Sequence, residues 1–502
     1  MKRFISLILI CTLISFILIS CKSNDTANNA NGNTDTNQNA ENQQSTEADT
    51  TTEKLEPDLP AEDYGGYTFT FFAHKIDYAG DWVGDGDPRE ITAQIDDSTG
   101  QEVETGDPIN DAVYKRNSAI EEKYNINIKM VTNSDDTGTL KKAVNAGDST
   151  YDAAVIFNNL VPAVVTADLL VNVDNLPYVD LSKPWWDPAV NAMSIDHKQY
   201  LMAGDLLILD NEATNALLFN KDLMANLGLD LPYQLVKDGK WTMDAMNNMI
   251  KGSAADLNGD GQMGVDDRWG FCVYNDTLHA LLVSGGGALA VKDANDLPYM
   301  DFTSQQNLAI LDKVTNLMYN PDYVFNVSGL DYTTYLPMFE ENRLLFLWAR
   351  MRVVGFFRGM ESNFGIIPLP KSDESQENYR SVVNPYTGVL LGVPKSADNL
   401  ERVSIILEAL SAESRYTLQP AYYDVTLQRK YARDNESQEM LDIIFNSRIY
   451  DIGAVYSFGN VFLDFITLSK TYNKDFVSYY EKKSGAMQAA IDKVVATFQS
   501  MQ

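Results

Sequence analysis

The chain has little of what metal, redox and nucleophilic chemistry draw on. Among its 502 residues there are three cysteines, Cys11, Cys21 and Cys272, and three histidines, His74, His197 and His279. The histidines are too far apart to form a metal motif. There is no Gly-x-Ser-x-Gly turn, no His-Glu-x-x-His helix and no phosphate-cradling loop ending in Gly-Lys-Ser or Gly-Lys-Thr. These absences disfavour serine hydrolysis, zinc proteolysis and ATP-driven work. Basic residues are scarce too: 39 lysines and arginines stand against 70 acids, for a net charge of −31. That balance disfavours nucleic acid and anionic lipid as partners and serves solubility. A glycosidase's carboxylate pair would be invisible among so many acids.

Long apolar runs are missing except at the start, where Met1-Lys2-Arg3 is followed by Phe4 to Ile19 with only Ser6, Thr12 and Ser15 as polar interruptions. Residues 1–20 read as a signal peptide, too short for a membrane span, which takes about 20 apolar residues. The stretch Leu18-Ile19-Ser20-Cys21 resembles the lipobox of bacterial lipoproteins, although Ile19 stands where a small residue is commoner. The resemblance implies lipidation of Cys21 and an anchor on the extracytoplasmic face of the membrane, each buried methylene contributing about 0.8 kcal/mol. Cys11 would leave with the leader and Cys21 would carry lipid. Only Cys272 then remains, in an apolar setting that reads as core, so no intramolecular disulfide is expected. Residues 21–60 lack any aromatic and are rich in Asn, Thr, Gln, Ser and acids. They read as a disordered tether spanning roughly 35 Å root-mean-square.

The pattern changes at Tyr67. The runs Tyr67 to Phe72, Ile126 to Val131 and Asp152 to Phe157 read as strands, with helical spacing over Asn110 to Tyr124 and Thr139 to Ala146. Such alternation predicts parallel pairing through crossovers, with ligands beyond the carboxyl ends of the strands. From about Leu206 to Val383 a second α/β region offers strands at Ala216 to Phe219, Trp269 to Tyr274, Leu344 to Ala349 and Phe364 to Leu369. Helices follow at Leu400 to Ser411, Gln438 to Asn446 and Phe476 to Phe498. In the last of these, Met487, Ile491, Val494 and Phe498 form one core-facing stripe. So much apolar residue suggests two lobes.

A family resemblance rests on particular strings. Tyr200-Leu201-Met202-Ala203-Gly204-Asp205, Leu217-Leu218-Phe219-Asn220-Lys221-Asp222-Leu223 and Gly239-Lys240-Trp241-Thr242 resemble family 1 extracellular solute-binding proteins of bacterial ABC importers. So do Phe364-Gly365-Ile366-Ile367-Pro368-Leu369-Pro370, Tyr386-Thr387-Gly388 and Gly392-Val393-Pro394-Lys395-Ser396, in the same order. The resemblance implies an α/β, two-lobe, type II periplasmic-binding-protein-like clamshell with discontinuous lobes and a helical C-terminal region. Lobe 1 would take residues 61–209 and 384–412, and lobe 2 residues 210–383 and 413–502. The chain would cross near Ile208 to Asn215 and again near Val383 to Gly388. Separate ABC permease subunits would receive the ligand, and the binding protein itself would be a monomer without an organic cofactor.

A carbohydrate cleft mixes aromatic rings, which stack on C–H faces, with donors and acceptors for hydroxyls. That mixture recurs at Asp81-Trp82, Asn158-Asn159, Asn211-Glu212, Tyr274-Asn275-Asp276, Trp348 with Arg350, and Asn384 with Tyr386. The ligand-binding candidates are therefore Asp81, Trp82, Asn158, Asn159, Glu212, Tyr274, Asn275, Trp348, Arg350 and Tyr386. Trp185-Trp186-Asp187 fits either a stacking platform or a packed pair under the hinge.

The stretch from Asp256 to Asp267 matches a twelve-position calcium loop, with Asp256, Asn258, Asp260, Gln262 and Asp267 as ligands and Gly261 at the turn. Asp267 replaces the usual Glu, and a strand rather than a helix follows. A structural calcium ion and a solvated turn are the two readings. The sequence thus favours capture of a small solute, a carbohydrate above all, without chemistry. A surface-tethered glycoside hydrolase or lyase is the rival, and a sensor is the third reading.

Overall fold

Tyr67–His74 (β1) alternates so that Phe69 and Phe71 face one side and Phe72 the other, all fully buried. A strand covered on both faces belongs in the middle of a layered sheet. The computed structural model describes residues 54–74, 88–134, 137–427 and 435–501. The leader, Cys21, most of the tether and the pair Asp81 and Trp82 lie outside the described residues.

The remaining strands are Ile126–Asn133 (β2), Ala153–Phe157 (β3), Asn215–Asn220 (β4), Trp269–Val273 (β5), Ala290–Lys292 (β6), Pro298–Met300 (β7) and Val324–Asn326 (β8). Leu344–Arg350 (β9), Phe364–Ile367 (β10), Ser381–Val382 (β11), Val389–Gly392 (β12) and Arg448–Ile449 (β13) complete the set. One mixed sheet runs β12-β3-β1-β2 and another β10-β4-β9-β5-β8. The fold is α/β with two mixed sheets, the type II arrangement.

Purely parallel pairing is not what forms. β1, β2 and β3 are parallel, but β12 joins β3 antiparallel, and β4 is antiparallel to both β9 and β10. The exceptions have one cause. β4 and β12 are the strands the chain enters after passing between the sheets, β4 through the single short helix Leu209–Ala213 and β12 through the turn 384–388, neither a full crossover unit.

The helix Pro108–Tyr124 shows how local chemistry sets an element. Asp107 accepts from the N–H of Ile109 and Asn110, Pro108 sits in the first turn, and Asn125 closes the end in the left-handed region at φ 49°. Its buried face, Ile109, Val113, Asn117, Ile120 and Tyr124, recurs at three- and four-residue steps. The helix Leu400–Ser414 packs Val403, Ile406, Leu407 and Leu410 against Phe69, Phe71 and Val155 of the first sheet. The last helix, Phe476–Ser500, buries all four stripe residues. Met487 joins the core around β5 and β9, whereas Ile491, Val494 and Phe498 join the one around Phe72 and Ile156, so it bridges both. No helix among the described residues is long and apolar enough to cross a membrane.

Three passages lie side by side between the sheets. Thr214 bridges Val383, the Asn384 N–H donates to the Ala213 carbonyl at 3.0 Å, and the Val383 N–H donates to Ile449 at 2.9 Å. Beyond Val383 the chain turns through Gly388, where a Cβ would stand 2.6 Å from Val383 and 2.8 Å from the Asn158 amide nitrogen. Only glycine lets the backbone pass that close.

Candidate functional site

The loop 384–388 is a wall shared by strand ends from both sheets. On one side the Asn158 N–H, at the end of β3, donates to the Gly388 carbonyl at 3.0 Å, and Asn159 donates to Pro385 at 2.8 Å. On the other side the Asn384 side chain donates to Asp276, just after β5, at 2.6 Å. Arg350, the last residue of β9, reaches the Thr387 hydroxyl at 3.4 Å. Arg350 is in register with Asn215, which follows the short helix Leu209–Ala213 that carries Glu212. Tyr274 and Trp348 lie parallel, 5° between planes and 6.4 Å between centroids, and Tyr386 rests on Phe462 at 5.6 Å.

Eight of the ten sequence-derived candidates therefore meet at one place: Asn158, Asn159, Glu212, Tyr274, Asn275, Trp348, Arg350 and Tyr386. Two small pockets adjoin there. One is lined by Glu212, Arg350, Arg352 and Thr387, the other by Tyr274, Tyr335 and Trp348, and they share Arg350 and Val353. Each encloses only about 10 Å³, room for a single water. Among the described residues, both polar atoms of the Asn158 amide, Asn275 Oδ1, Asp276 Oδ1 and Trp348 Nε1 are buried without a hydrogen-bond partner. Each such group costs about 1–3 kcal/mol left unsatisfied.

The charges are arranged asymmetrically. Glu212 takes Arg89 at 2.5 Å on one oxygen and Arg352 at 3.5 Å on the other. Burial lowers the Arg352 pKa, and the nearby Arg89 and Arg350 add to the effect against Glu212. Burial also pushes Glu90 up to about 7 and raises Asp276, with Arg350 opposing the latter. Arg89, Arg352 and Thr387 escaped the sequence reading. Arg352 had a usable signal, since it follows Arg350 by two positions at the end of an apolar strand. Arg89 had none.

Trp185 and Trp186 are settled as a packed pair. Both are buried, and their indole N–H groups donate to the two oxygens of Glu408 at 2.9 and 2.8 Å. Cys272 is buried and free, its thiol pushed up by burial. In the Asp256 to Asp267 loop the carboxylates cap backbone: Asp256 accepts from Gly259 and Gly261, Asp260 from Gln262, and Asp267 from Leu257 and Gly264. Those donors hold the Asp267 carboxyl below its ordinary range. Among the described residues no three His, Cys, Asp or Glu side chains gather as a metal cluster.

No protein-family model and no curated sequence matches the chain. Solved structures do match in fold. The sugar-binding protein MalE of Xanthomonas citri is 14% identical, over 86% of this chain and 97% of that one, at a TM-score of 0.54. UspC of Mycobacterium tuberculosis is 15% identical over 86% and 100%, at 0.53. The GacH receptor of Streptomyces glaucescens, solved unliganded and with acarbose, is 12% identical over 87% and 100%, at 0.51. The chain has the fold of ABC-importer substrate-binding proteins.

Proposed function

We propose that this chain is the substrate-binding lipoprotein of an ABC importer. It captures a carbohydrate between its lobes and hands it to separate permease subunits. The observation that supports this reading best is the set of unpartnered buried polar atoms around the Tyr274–Trp348 pair, since hydroxyls of a sugar would satisfy them while its C–H face met a ring. Asn158, Asn159, Glu212, Tyr274, Asn275, Trp348, Arg350 and Tyr386 would contact the ligand. Closure is driven by tighter binding to the closed form. Lipid on Cys21 would keep the body at the extracytoplasmic membrane surface.

A thermal-shift screen against mono- and oligosaccharides tests this. Ligand at a hundredfold its dissociation constant should add about 2.7 kcal/mol of stability. Asn275→Ala should weaken binding about tenfold, the worth of one good hydrogen bond to ligand. Ligand recovered intact after incubation supports capture, whereas hydrolysis products would replace it with catalysis.

For the Asp256 loop the proposal is that a calcium ion draws Asp256, Asn258, Asp260, Gln262 and Asp267 inward. Calcium should then raise the melting temperature of the wild type and not of Asp256→Ala. An equal calcium response in both proteins removes the assignment.

A further inference from the structure

An aromatic groove lies on the edge of the second sheet. β8, the last strand there, pairs with β5 alone. Beside it Trp269, Tyr319, Phe325, Asn326, Tyr472 and Lys474 line a cavity of about 610 Å³. That volume falls within the range of about 300–1,000 Å³ usual for ligand pockets. None of its lining residues belongs to the two small pockets beside residues 384–388.

The rings meet in pairs. Trp269 and Phe325 are stacked with centroids 5.0 Å apart, and Tyr472 meets Tyr319 edge-on at 5.1 Å. Tyr472 closes the helix Val461–Lys470: its N–H donates to the Ser469 carbonyl at 3.2 Å, and the Asn473 N–H donates to Leu468 at 3.0 Å. Its φ is 53°, a left-handed position at a helix end where glycine is the usual residue and a bulky side chain is strained. Burial does little to offset that strain, since Tyr472 is 52% exposed. Glycine would serve the helix end better, so the ring serves something else.

Hydrogen-bond donors accompany the rings. Asn320 and Asn326 use their side-chain oxygens to accept from the N–H of Asp322 at 3.0 Å and of Ser328 at 2.9 Å, which leaves both amide nitrogens to donate elsewhere. Lys474 Nζ donates to Asn316 at 3.1 Å and lies 5.8 Å from the centre of the Tyr319 ring. A purely apolar ligand would leave these donors without acceptors. One lysine in a chain of net charge −31 would not hold a polyanion. A saccharide suits both halves of the groove, with C–H faces for the rings and hydroxyl acceptors for the amides and the ammonium.

We propose that this groove is a second saccharide site, in which a sugar ring packs on Tyr472 while its hydroxyls accept from Asn320, Asn326 and Lys474. The protein then holds two saccharides at once, one in the cleft and one at the sheet edge.

The test is calorimetric titration of the full chain with maltotriose, cellotriose, xylotriose, mannotriose and galactotriose. At least one of them should bind at two sites. Tyr472→Gly suits the left-handed backbone and should keep the melting temperature, yet weaken one site about tenfold or more. Tyr472→Phe keeps the ring and should hold that site within about threefold of wild type. Asn275→Ala should weaken only the other site. A single site that answers to Asn275→Ala and not to Tyr472→Gly would overturn the proposal and leave capture in the cleft standing, as would a second site indifferent to Tyr472→Gly. A single site that answers only to Tyr472→Gly would support the groove and remove the cleft. No binding of any of the five sugars would overturn both.

Discussion

Arg448→Met is expected to destabilise the fold by about 3–5 kcal/mol, the usual cost of breaking a buried ion pair from one side. The guanidinium lies 2.9 Å from Asp187 and 3.2 Å from Asp210 and also donates to Asn211. Those partners sit on two different pieces of chain, around residue 187 and at 210–211, and β13, which carries Arg448, pairs with β11. Removing the arginine leaves two buried carboxylates facing each other. Burial already pushes Asp210 up to about 7 against the pull of Arg448, so without the arginine Asp210 would have to take up a proton. A denaturant midpoint shift with unchanged slope would measure the loss. Adding Asp210→Asn should recover a large part of it. A loss below about 1 kcal/mol would mean that water reaches the network.

Glu408 should make stability depend on pH in the sense opposite to ordinary acid denaturation. Burial pushes its carboxyl up to about 7, although the two indole N–H groups and the Asp180 N–H favour the charged form. Unfolded, it titrates near the ordinary glutamate value of about 4.3. Between these values the folded protein holds a proton that the unfolded chain has released. The group's contribution is therefore complete below the lower value and lost as pH rises through about 7, a change of up to about 3 kcal/mol. Glu408→Gln cannot titrate, so its melting temperature should fall less than the wild type's from pH 5 to pH 8. It should also be less stable throughout, by about 1–3 kcal/mol, since its amide nitrogen faces one of two indole donors. Glu90 and Asp205, also raised by burial, titrate in the same window. The difference between the two profiles, not the wild-type slope, isolates Glu408. Parallel profiles would rule out the proton.

Comparison of particular elements shows why some features were legible and others were not. The expected Ala216 to Phe219 strand is Asn215–Asn220, and Leu344 to Ala349 is Leu344–Arg350, because a continuous apolar run bounded by polar residues suffices to mark a buried strand. The three-residue β8, with the burial of one strand end only, left no periodicity to read. The tandem tryptophans were ambiguous because packing and stacking use the same residue. What decided between them was Glu408, more than two hundred residues away, with oxygens for both indoles.

Composition and periodicity were enough to establish the α/β class, the main strands and helices, and a polar-aromatic character at the strand ends, because each depends on residues within a few positions of one another. Strand direction at β4 and β12, the convergence of residues 158, 275, 348 and 386, and the arginine pocket were decided only in three dimensions. Arg89, Glu212 and Arg352 meet through salt bridges spanning 123 and 140 residues. A contact at that separation follows from how the passages between the sheets are laid together, and no local pattern encodes it.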